Sequence, residues 1–529
     1  MSNTKNSKIR LGILSMAVAL AAGQATAKND QIWLPEVIQD DKAFYEALPI
    51  TGTVDSYFGE FELDHSYLSP ESSDNIYDLM AHQRASQLYL WSLPIVGLER
   101  LVQNYFRTFD YEYGDFVRVE SFNERRGYLT ANETTNYALG VFNTEGAPAI
   151  LDVPPGVIIG MVIDMWQESP TDIGIFGPNG GKGGKHIIIG PNTDLSLVPD
   201  MKDKMDDYQV HHIDTNRGMM LARVAGADVE KVQQTWNQIQ AYQYGDNPST
   251  TVHGGEDKYI PSFQPRGLAY WEMLHAAINN EPVAERDRHF MYWLKELGIE
   301  RGKPFNPTEE QKAVLIDGAN VGELMAKALV FDERLDGVLR ENDWRYVLGG
   351  EWGDGIKYDQ SMTDYDIFDP RARYTYEAVM TSPSMTVPRP GKAQGYVAKF
   401  EDSEGNRLKG GEKYAIEFES EIEATMFWSL TVYDVETRVL LDNQGLEDGS
   451  DVTVDSMNHQ PKMNDDGSFV IMLGPDAAPD GWQSNYVRTL PGRGWFPYIR
   501  AYGAEPSFFD GTYQLPTIHK VENFDKYTK

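Results

Sequence analysis

The chain has 529 residues, and its 80 acidic against 47 basic residues give a formal net charge of -33. Such a charge repels phosphates and anionic lipid surfaces, so nucleic acid is excluded as a partner. The sequence contains no cysteine, which excludes disulfides, thiol nucleophiles and zinc thiolate sites. A chain of this length is expected to form two or three domains.

The N-terminus has the pattern of a signal peptide. Lys5, Lys8 and Arg10 precede an apolar run over residues 11–22 and a small-residue site that ends at Ala27. This pattern predicts a signal peptide over 1–27, cleaved near Ala27, and a periplasmic or secreted mature protein. An uncleaved N-terminal anchor is the alternative. No later run approaches the roughly 20 apolar residues of a membrane helix, so no membrane insertion is expected, and residues 28–73 are assigned to a lead segment.

The first regular element is predicted from residue 74 onward. Apolar residues from Ile76 to Trp91 recur at helical spacing behind Asp74, which predicts a helix with Asp74 as its N-cap. Pro94 is expected to kink or end this helix.

The sequence pattern then changes to short apolar runs separated by proline and glycine turns, which is typical of strands. Strands are predicted over 137–142, 149–153, 157–166 and 186–189, followed by a helix over 228–242. Together with the first helix they form a predicted β-domain over residues 74–245.

A glycine-rich stretch, GPNGGKGGKH at residues 177–186, interrupts this β-domain. A phosphate-binding loop must open into a helix whose N-terminal amides point at the anion, and neither lysine here is followed by serine or threonine. The stretch lies between two predicted strands. It is therefore predicted to be a long hairpin or a surface loop.

Helical spacing dominates residues 246–380, a predicted helical linker domain with helices over 268–279, 282–297 and 309–335. Strand patterns return in residues 381–529, at 413–418, 426–434, 468–473 and 495–502. Strands at this spacing without intervening helices favour an antiparallel sandwich or jelly roll. The predicted fold class is thus α+β and multidomain, with two antiparallel β-sandwich domains of jelly-roll type and a helical region between them.

Several motifs resemble those of one exported bacterial family. They are NETTNY at 132–137, DTNR at 214–217, FWSLTVYD at 427–434, RGWF at 493–496 and RAYG at 500–503. The family pairs a domain of unknown function 1254, N-terminal, with a domain of unknown function 1214, C-terminal. The resemblance implies two jelly-roll-like domains with helices packed between them, and it admits a homo-oligomer. It implies no particular activity.

Candidate ligand-binding residues come from both β-domains. In the last long strand, period-two alternation places Tyr498, Arg500 and Tyr502 on one face, where aromatic rings and a guanidinium could stack a sugar or clamp a carboxylate. The alternative is that this face only packs under the helical domain. Polar residues of the family-like motifs complete the set, namely Asn132, Thr135, Tyr137 and Arg217.

The sequence has no G-x-S-x-G elbow and no H-E-x-x-H motif, the usual signatures of serine hydrolases and zinc peptidases. His211 and His212 would face opposite sides of a strand, so they are poorly placed to bind one ion. No motif indicates a cofactor, and a divalent metal stays open.

We therefore predict that the protein binds a small organic or carbohydrate ligand between the β-domains and the helices. The alternatives are a hydrolase or metal-assisted enzyme with dispersed carboxylate, histidine and arginine residues, and an oligomeric structural protein with capsid-like jelly rolls.

Overall fold

The computed structural model describes residues 50–197, 208–224, 229–254, 258–332, 334, 339–348, 368–386, 391, 394–443 and 451–528. The predicted signal peptide and residues 28–49 of the lead segment lie outside these residues. Contacts divide the chain into two units, Met1–Asp74 and Asn75–Lys529. The domain boundaries at 245 and 380 stay predictions.

The first unit contains one small antiparallel sheet of three strands, β1 (Gly52–Ser56), β2 (Gly59–Asp64) and β3 (Tyr67–Leu68). Val54 lies opposite Phe61 in the register, so the two side chains share a face. His65 and Ser66 adopt positive φ in the tight turn that joins β2 to β3.

Helix α1 (Pro70–Thr108) is longer than the sequence predicts. It begins four residues before Asp74, so the predicted Asp74 cap is wrong. The Ser69 hydroxyl accepts a hydrogen bond from the Ser72 amide at 3.2 Å, and Pro70 occupies the first helical position, where its missing N–H costs nothing.

Pro94 does not end this helix, because α1 continues through this residue to Thr108. A proline inside a helix costs about 3 kcal/mol. The turns on both sides of Pro94 are buried, including Trp91, Leu93 and Ile95, and each such side chain contributes about 1.5–3 kcal/mol by burial. Burial of both turns therefore outweighs the lost hydrogen bond.

The first β-region consists of two sheets. The strands are β4 (Phe116–Val119), β5 (Tyr137–Asn143), β6 (Ala149–Val153), β7 (Ile158–Asp164), β8 (Thr171–Gly174), β9 (Gly184–Ile189), β10 (Tyr208–His212), β11 (Arg217–Val224), β12 (Gln240–Gln243) and β13 (Val252–His253), with short helices α2 (Phe122–Arg125) and α3 (Val229–Trp236). One sheet has the order β13-β4-β5-β11-β7-β8 and the other β10-β9-β6-β12.

Three predictions for this region need correction. The helix predicted over 228–242 ends at Trp236, and β12 follows it because residues 240–243 pair with β6. The sheets are mostly antiparallel, but the pairs β9/β10 and β4/β13 are parallel. The glycine-rich stretch is a loop, as predicted, but it is not a hairpin: it joins β8 of one sheet to β9 of the other.

The middle of the chain is helical, as predicted. Its helices are α4 (Leu268–Asn280), α5 (Arg288–Glu296), α6 (Glu309–Phe331), α7 (Phe368–Glu377) and α8 (Pro383–Thr386). The helix predicted over 282–297 begins later, after a 3-10 turn at Glu285–Asp287. Helix α6 packs closely on α1 at Gly318 and Gly322, where a Cβ atom would lie 2.2 Å from Ala85 and 2.5 Å from Tyr89.

The C-terminal region again consists of two sheets. Its elements are β14 (Arg345–Tyr346), β15 (Gln394–Ala398), β16 (Lys413–Phe418), β17 (Ala424–Asp434), β18 (Thr453–Asp455), β19 (Phe469–Gly474), β20 (Tyr486–Arg488), β21 (Trp495–Ala504), helix α9 (Pro506–Asp510) and β22 (Thr517–Val521). The sheet orders are β14-β15-β21-β17-β18 and β20-β19-β16-β22. All pairs are antiparallel except β19/β20.

The largest apolar core joins the helices to both β-regions. It includes Leu93 of α1, Leu139 and Leu221 of the six-stranded sheet, and Leu430 and Ile499 of the five-stranded sheet. A second core fills the space between the two sheets of the first region. The chain from residue 75 is therefore a mixed α and β structure in which several sheets share one helical core.

Trp428 provides a test of the packing between the two C-terminal sheets. Its ring stacks on Phe418 and Phe469 at centroid distances of 6.2 and 5.4 Å, and 1% of its surface is exposed. We expect Trp428→Ala to lower the free energy of unfolding by roughly 3–5 kcal/mol, measured by urea denaturation. Tyr292→Ala, at a 54% exposed position, is the control, and equal stabilities of the two variants would contradict the core assignment.

Candidate functional site

Five of the seven candidate residues line one cavity between the two β-regions. Asn132 and Tyr137 reach it from the first region, and Tyr498, Arg500 and Tyr502 reach it from β21. The cavity has a volume of about 80 Å³, well above the roughly 10–15 Å³ that a single water molecule requires. Helix α7 and the segment that follows it close one side through Tyr374, Met380 and Met385.

Strand β21 presents its polar face to this cavity because side chains alternate along a strand. Ile499 and Ala501 belong to the apolar core, whereas Tyr498, Arg500 and Tyr502 line the cavity. The face is also packed, since Tyr498 and Tyr502 are each 1% exposed. The residues of this face therefore both pack against their neighbours and line the cavity.

The segment from Thr130 to Asn132 is held against the C-terminal sheet by hydrogen bonds. Arg500 donates to the Thr130 carbonyl at 2.6 Å, and the Tyr433 hydroxyl donates to the Ala131 carbonyl at 2.6 Å. The Asn132 amide donates to the Tyr502 hydroxyl at 2.8 Å. Thr130 itself has a positive φ of 39°, a conformation that these contacts maintain.

Arg500 is 4% exposed and is surrounded by neutral groups. Besides the Thr130 carbonyl, it donates to the Tyr433 hydroxyl at 2.6 Å. Its guanidinium lies 4.8 Å from the ring centroid of Tyr498, within the range of cation–π attraction. Among the described residues, no carboxylate forms an ion pair with Arg500.

Arg223, near the end of β11, is a second cationic residue in the cavity and was not predicted. Its Nη1 donates to the Tyr502 hydroxyl at 3.3 Å. Its Nε is buried and finds no acceptor among the described residues. The sequence pattern that could have identified Arg223 is its position in the strand GMMLARV. Alternation along this strand places Arg223 on the same face as Leu221, another cavity residue.

A buried carboxylate lies directly behind the cavity. The hydroxyl of Tyr498 donates a hydrogen bond to Glu377, at the end of α7. Burial and the nearby Glu377 carboxylate raise the pKa of Tyr498 well above its usual range. Tyr498 is therefore a neutral phenol, and its hydroxyl links the wall of the cavity to a buried acid.

Apolar side chains also line the cavity. They include Leu139, Met161, Leu221, Val347 and Met385. Such side chains favour contact with hydrocarbon groups of a ligand, whereas the polar residues determine its orientation.

Thr135 and Arg217 do not line the cavity. The Thr135 hydroxyl accepts a hydrogen bond from the Asn132 amide at 3.2 Å, so it positions a cavity residue. Arg217 is buried elsewhere between two carboxylates, at 2.7 Å from Glu99 and 2.6 Å from Glu281. Burial raises the pKa of Glu281, although Arg217 opposes the shift.

Arg217→Met tests whether this residue is structural. The substitution leaves Glu99 and Glu281, each 1% exposed, without their cation. We expect a loss of about 3–5 kcal/mol in the free energy of unfolding, as for other broken buried ion pairs, measured by urea denaturation at pH 7. Arg288→Met, which breaks an exposed pair with Glu285, should cost below about 1 kcal/mol. Equal costs would contradict the structural role.

His211 pairs with a histidine on the neighbouring strand and not with the adjacent His212. Nε2 of His211 lies 3.1 Å from Nδ1 of His186 on the neighbouring strand β9, while His212 is exposed. Within the described ranges, no group of three or more histidine, aspartate or glutamate residues is arranged to hold a metal ion.

This histidine pair should make stability depend on pH. Burial and the nearby His211 lower the pKa of His186 to about 4, whereas an unfolded histidine titrates near 6.5. As pH falls from 6.5 to 4 the unfolded chain binds more protons, so stability decreases by roughly 2–4 kcal/mol. His186→Gln should remove this part of the loss, unlike His289→Gln at an exposed position, in denaturation curves at several pH values. A loss of the same size in His186→Gln would contradict the assignment.

The sequence matches two family models. Residues 114–243 match a protein of unknown function, DUF1254, and residues 393–506 match another, DUF1214. Both domains expected from the motifs are therefore present, in the expected order. The search of curated proteins found no significant match.

Two solved structures align with most of this chain. The VPA0106 protein from Vibrio parahaemolyticus is 17% identical, with a TM-score of 0.48, and the match covers 84% of this chain and 100% of that one. A putative uncharacterized protein from Burkholderia cenocepacia is 11% identical, with a TM-score of 0.38, over 84% of this chain and 96% of that one. Among the described residues, no helix combines the length and apolar character needed to cross a membrane.

Proposed function

We propose that this protein binds a small organic molecule in the cavity between its two β-regions. The observation that carries the proposal is the convergence of polar residues from distant parts of the sequence, Asn132, Arg223 and Arg500, on one cavity that apolar side chains also line. A concave apolar site with a few convergent polar groups is the usual form of a small-molecule site.

The geometry favours binding over a purely structural role for the cavity. Arginine and tyrosine side chains that serve only packing would pair with carboxylates or carbonyls. The buried Nε of Arg223 has no such partner among the described residues, and an apolar residue of similar volume would often stabilise a core equally well. The cost of this polar group is understandable if a ligand completes its hydrogen bonds.

An enzymatic activity is the alternative, and one contact favours it. The hydroxyl of Tyr498 lies between the cavity and the buried Glu377, so this pair could transfer a proton to or from a bound molecule. Binding without turnover supports the first function, and product formation that Tyr498→Phe abolishes would support the second.

We further propose the finer architecture and location that the sequence indicates. The facing C-terminal sheets support a sandwich of jelly-roll type, although the parallel pairs at β19/β20 and β9/β10 depart from a wholly antiparallel design. The basic and apolar N-terminal residues support export from a bacterial cell, with cleavage near Ala27. N-terminal sequencing of the mature protein tests the cleavage site.

Tyr502→Phe tests the location of the binding site. The substitution removes the hydroxyl that accepts hydrogen bonds from Asn132 and Arg223, so we expect about tenfold weaker binding, as for the loss of one or two hydrogen bonds. A panel of short organic acids, their amides and neutral sugars is screened by thermal shift, and hits are measured by calorimetry.

Tyr414→Phe is the matched control. Tyr414 is also buried and its hydroxyl also accepts a hydrogen bond, from the Lys409 amide, but it does not line the cavity. The control should bind like the unaltered protein. If both variants bind every hit with unchanged affinity, the cavity is not the binding site.

A further inference from the structure

The charged residues that line the cavity in the described part of the chain are both cations. Arg223 and Arg500 carry charge there, and none of the described lining residues is aspartate or glutamate. The chain as a whole has 80 acidic and 47 basic residues. The described cavity lining is therefore positively charged in a protein that is strongly acidic overall. We infer that the ligand is a small organic anion whose carboxylate is held by Arg223 and Arg500, an inference that rests on the proposed function.

The hydrogen-bonding capacity of the cavity leads to the same ligand class. The Tyr502 oxygen accepts hydrogen bonds from Asn132 at 2.8 Å and from Arg223 at 3.3 Å. Its own proton has no acceptor among the described residues. The Arg223 Nε–H likewise has none. Two buried donors therefore lack acceptors, and a carboxylate is an acceptor-only group.

Glu377, the buried acid behind the cavity, does not satisfy these donors. It accepts from the hydroxyl of Tyr498 and forms no ion pair with Arg223 or Arg500 among the described residues. Both guanidinium groups therefore lack a carboxylate partner in the described part of the chain, and the carboxylate of a ligand would supply one.

The rest of the ligand is expected to be apolar. Leu139, Met161, Leu221 and Met385 line the cavity together with the arginines. These side chains offer no hydrogen bonds, so they suit the hydrocarbon part of a ligand. The fitting class is thus a short aliphatic or aromatic monocarboxylic acid.

The test uses two matched pairs of probes, butanoate with butanamide and benzoate with benzamide. Each pair has nearly the same shape, but only the acid carries a negative charge. Titration calorimetry on the full chain at pH 7 should show each acid binding at least tenfold more tightly than its amide. Crystals soaked with benzoate should show the carboxylate at the two guanidinium groups.

Arg223→Gln should lower benzoate affinity at least tenfold and leave benzamide affinity within about twofold, which removes the preference for the acid. Arg223→Lys keeps the charge but loses the planar fork, so a reduced preference should persist in it. Arg288→Gln, at an exposed position, is the control and should bind like the unaltered protein. Melting temperature and circular dichroism establish that each variant is folded.

The possible outcomes separate the two proposals. Equal affinity for acids and amides, with both located in the cavity, overturns the anion inference and leaves the proposed function standing. If neither member of either pair binds and soaked crystals show only water in the cavity, both proposals are overturned. A preference for acids that survives in folded Arg223→Gln also overturns the assigned role of Arg223.

Discussion

The structure depends on how the buried carbonyl groups of Thr130 and Ala131 find donors. This segment belongs to no strand, so its carbonyls have no neighbouring chain to pair with, and a buried carbonyl without a partner costs about 1–3 kcal/mol. Arg500 and Tyr433 supply the missing donors from two strands of the C-terminal sheet. The cavity lies where this segment meets that sheet, so the same contacts fix both the interface and the shape of the site.

Polar groups at this interface can pair with buried protein atoms, with a molecule in the cavity, or with both. Arg500 satisfies backbone carbonyl and tyrosine oxygens and still faces the cavity. Arg223, by contrast, contributes one long hydrogen bond and lies 5.7 Å from the ring centroids of Tyr137 and Tyr502, while its buried Nε has no acceptor among the described residues. The two arginines therefore differ: Arg500 is held mainly by the protein, whereas Arg223 has capacity left for another molecule.

The sequence was informative where a periodic pattern determines the side chain's direction. Alternation predicted the shared face of Tyr498, Arg500 and Tyr502. Turns and apolar spacing also located four strands of the C-terminal region, which are β16, β17, β19 and β21. The sequence did not indicate which charged side chains form ion pairs with one another. Arg217 and Arg223 lie on the same face of β11 by alternation, yet Arg217 pairs with Glu99 and Glu281, far away in the chain. Which cation is neutralised depends on tertiary packing. The same limit explains Pro94, whose local cost is outweighed by burial of the surrounding turns.

The anchoring of Thr130 and Ala131 on the far sheet also bears on how the chain reaches its folded state. The segment precedes β5, and its hydrogen-bond donors arrive some 300 residues later, at Tyr433 and 370 residues later at Arg500. Contacts between residues so distant in sequence form late and slowly during folding. Until the last strands are synthesised, the first β-region exposes carbonyls and an apolar face that would bind other chains. The first β-region therefore completes these hydrogen bonds only after the C-terminal strands are in place.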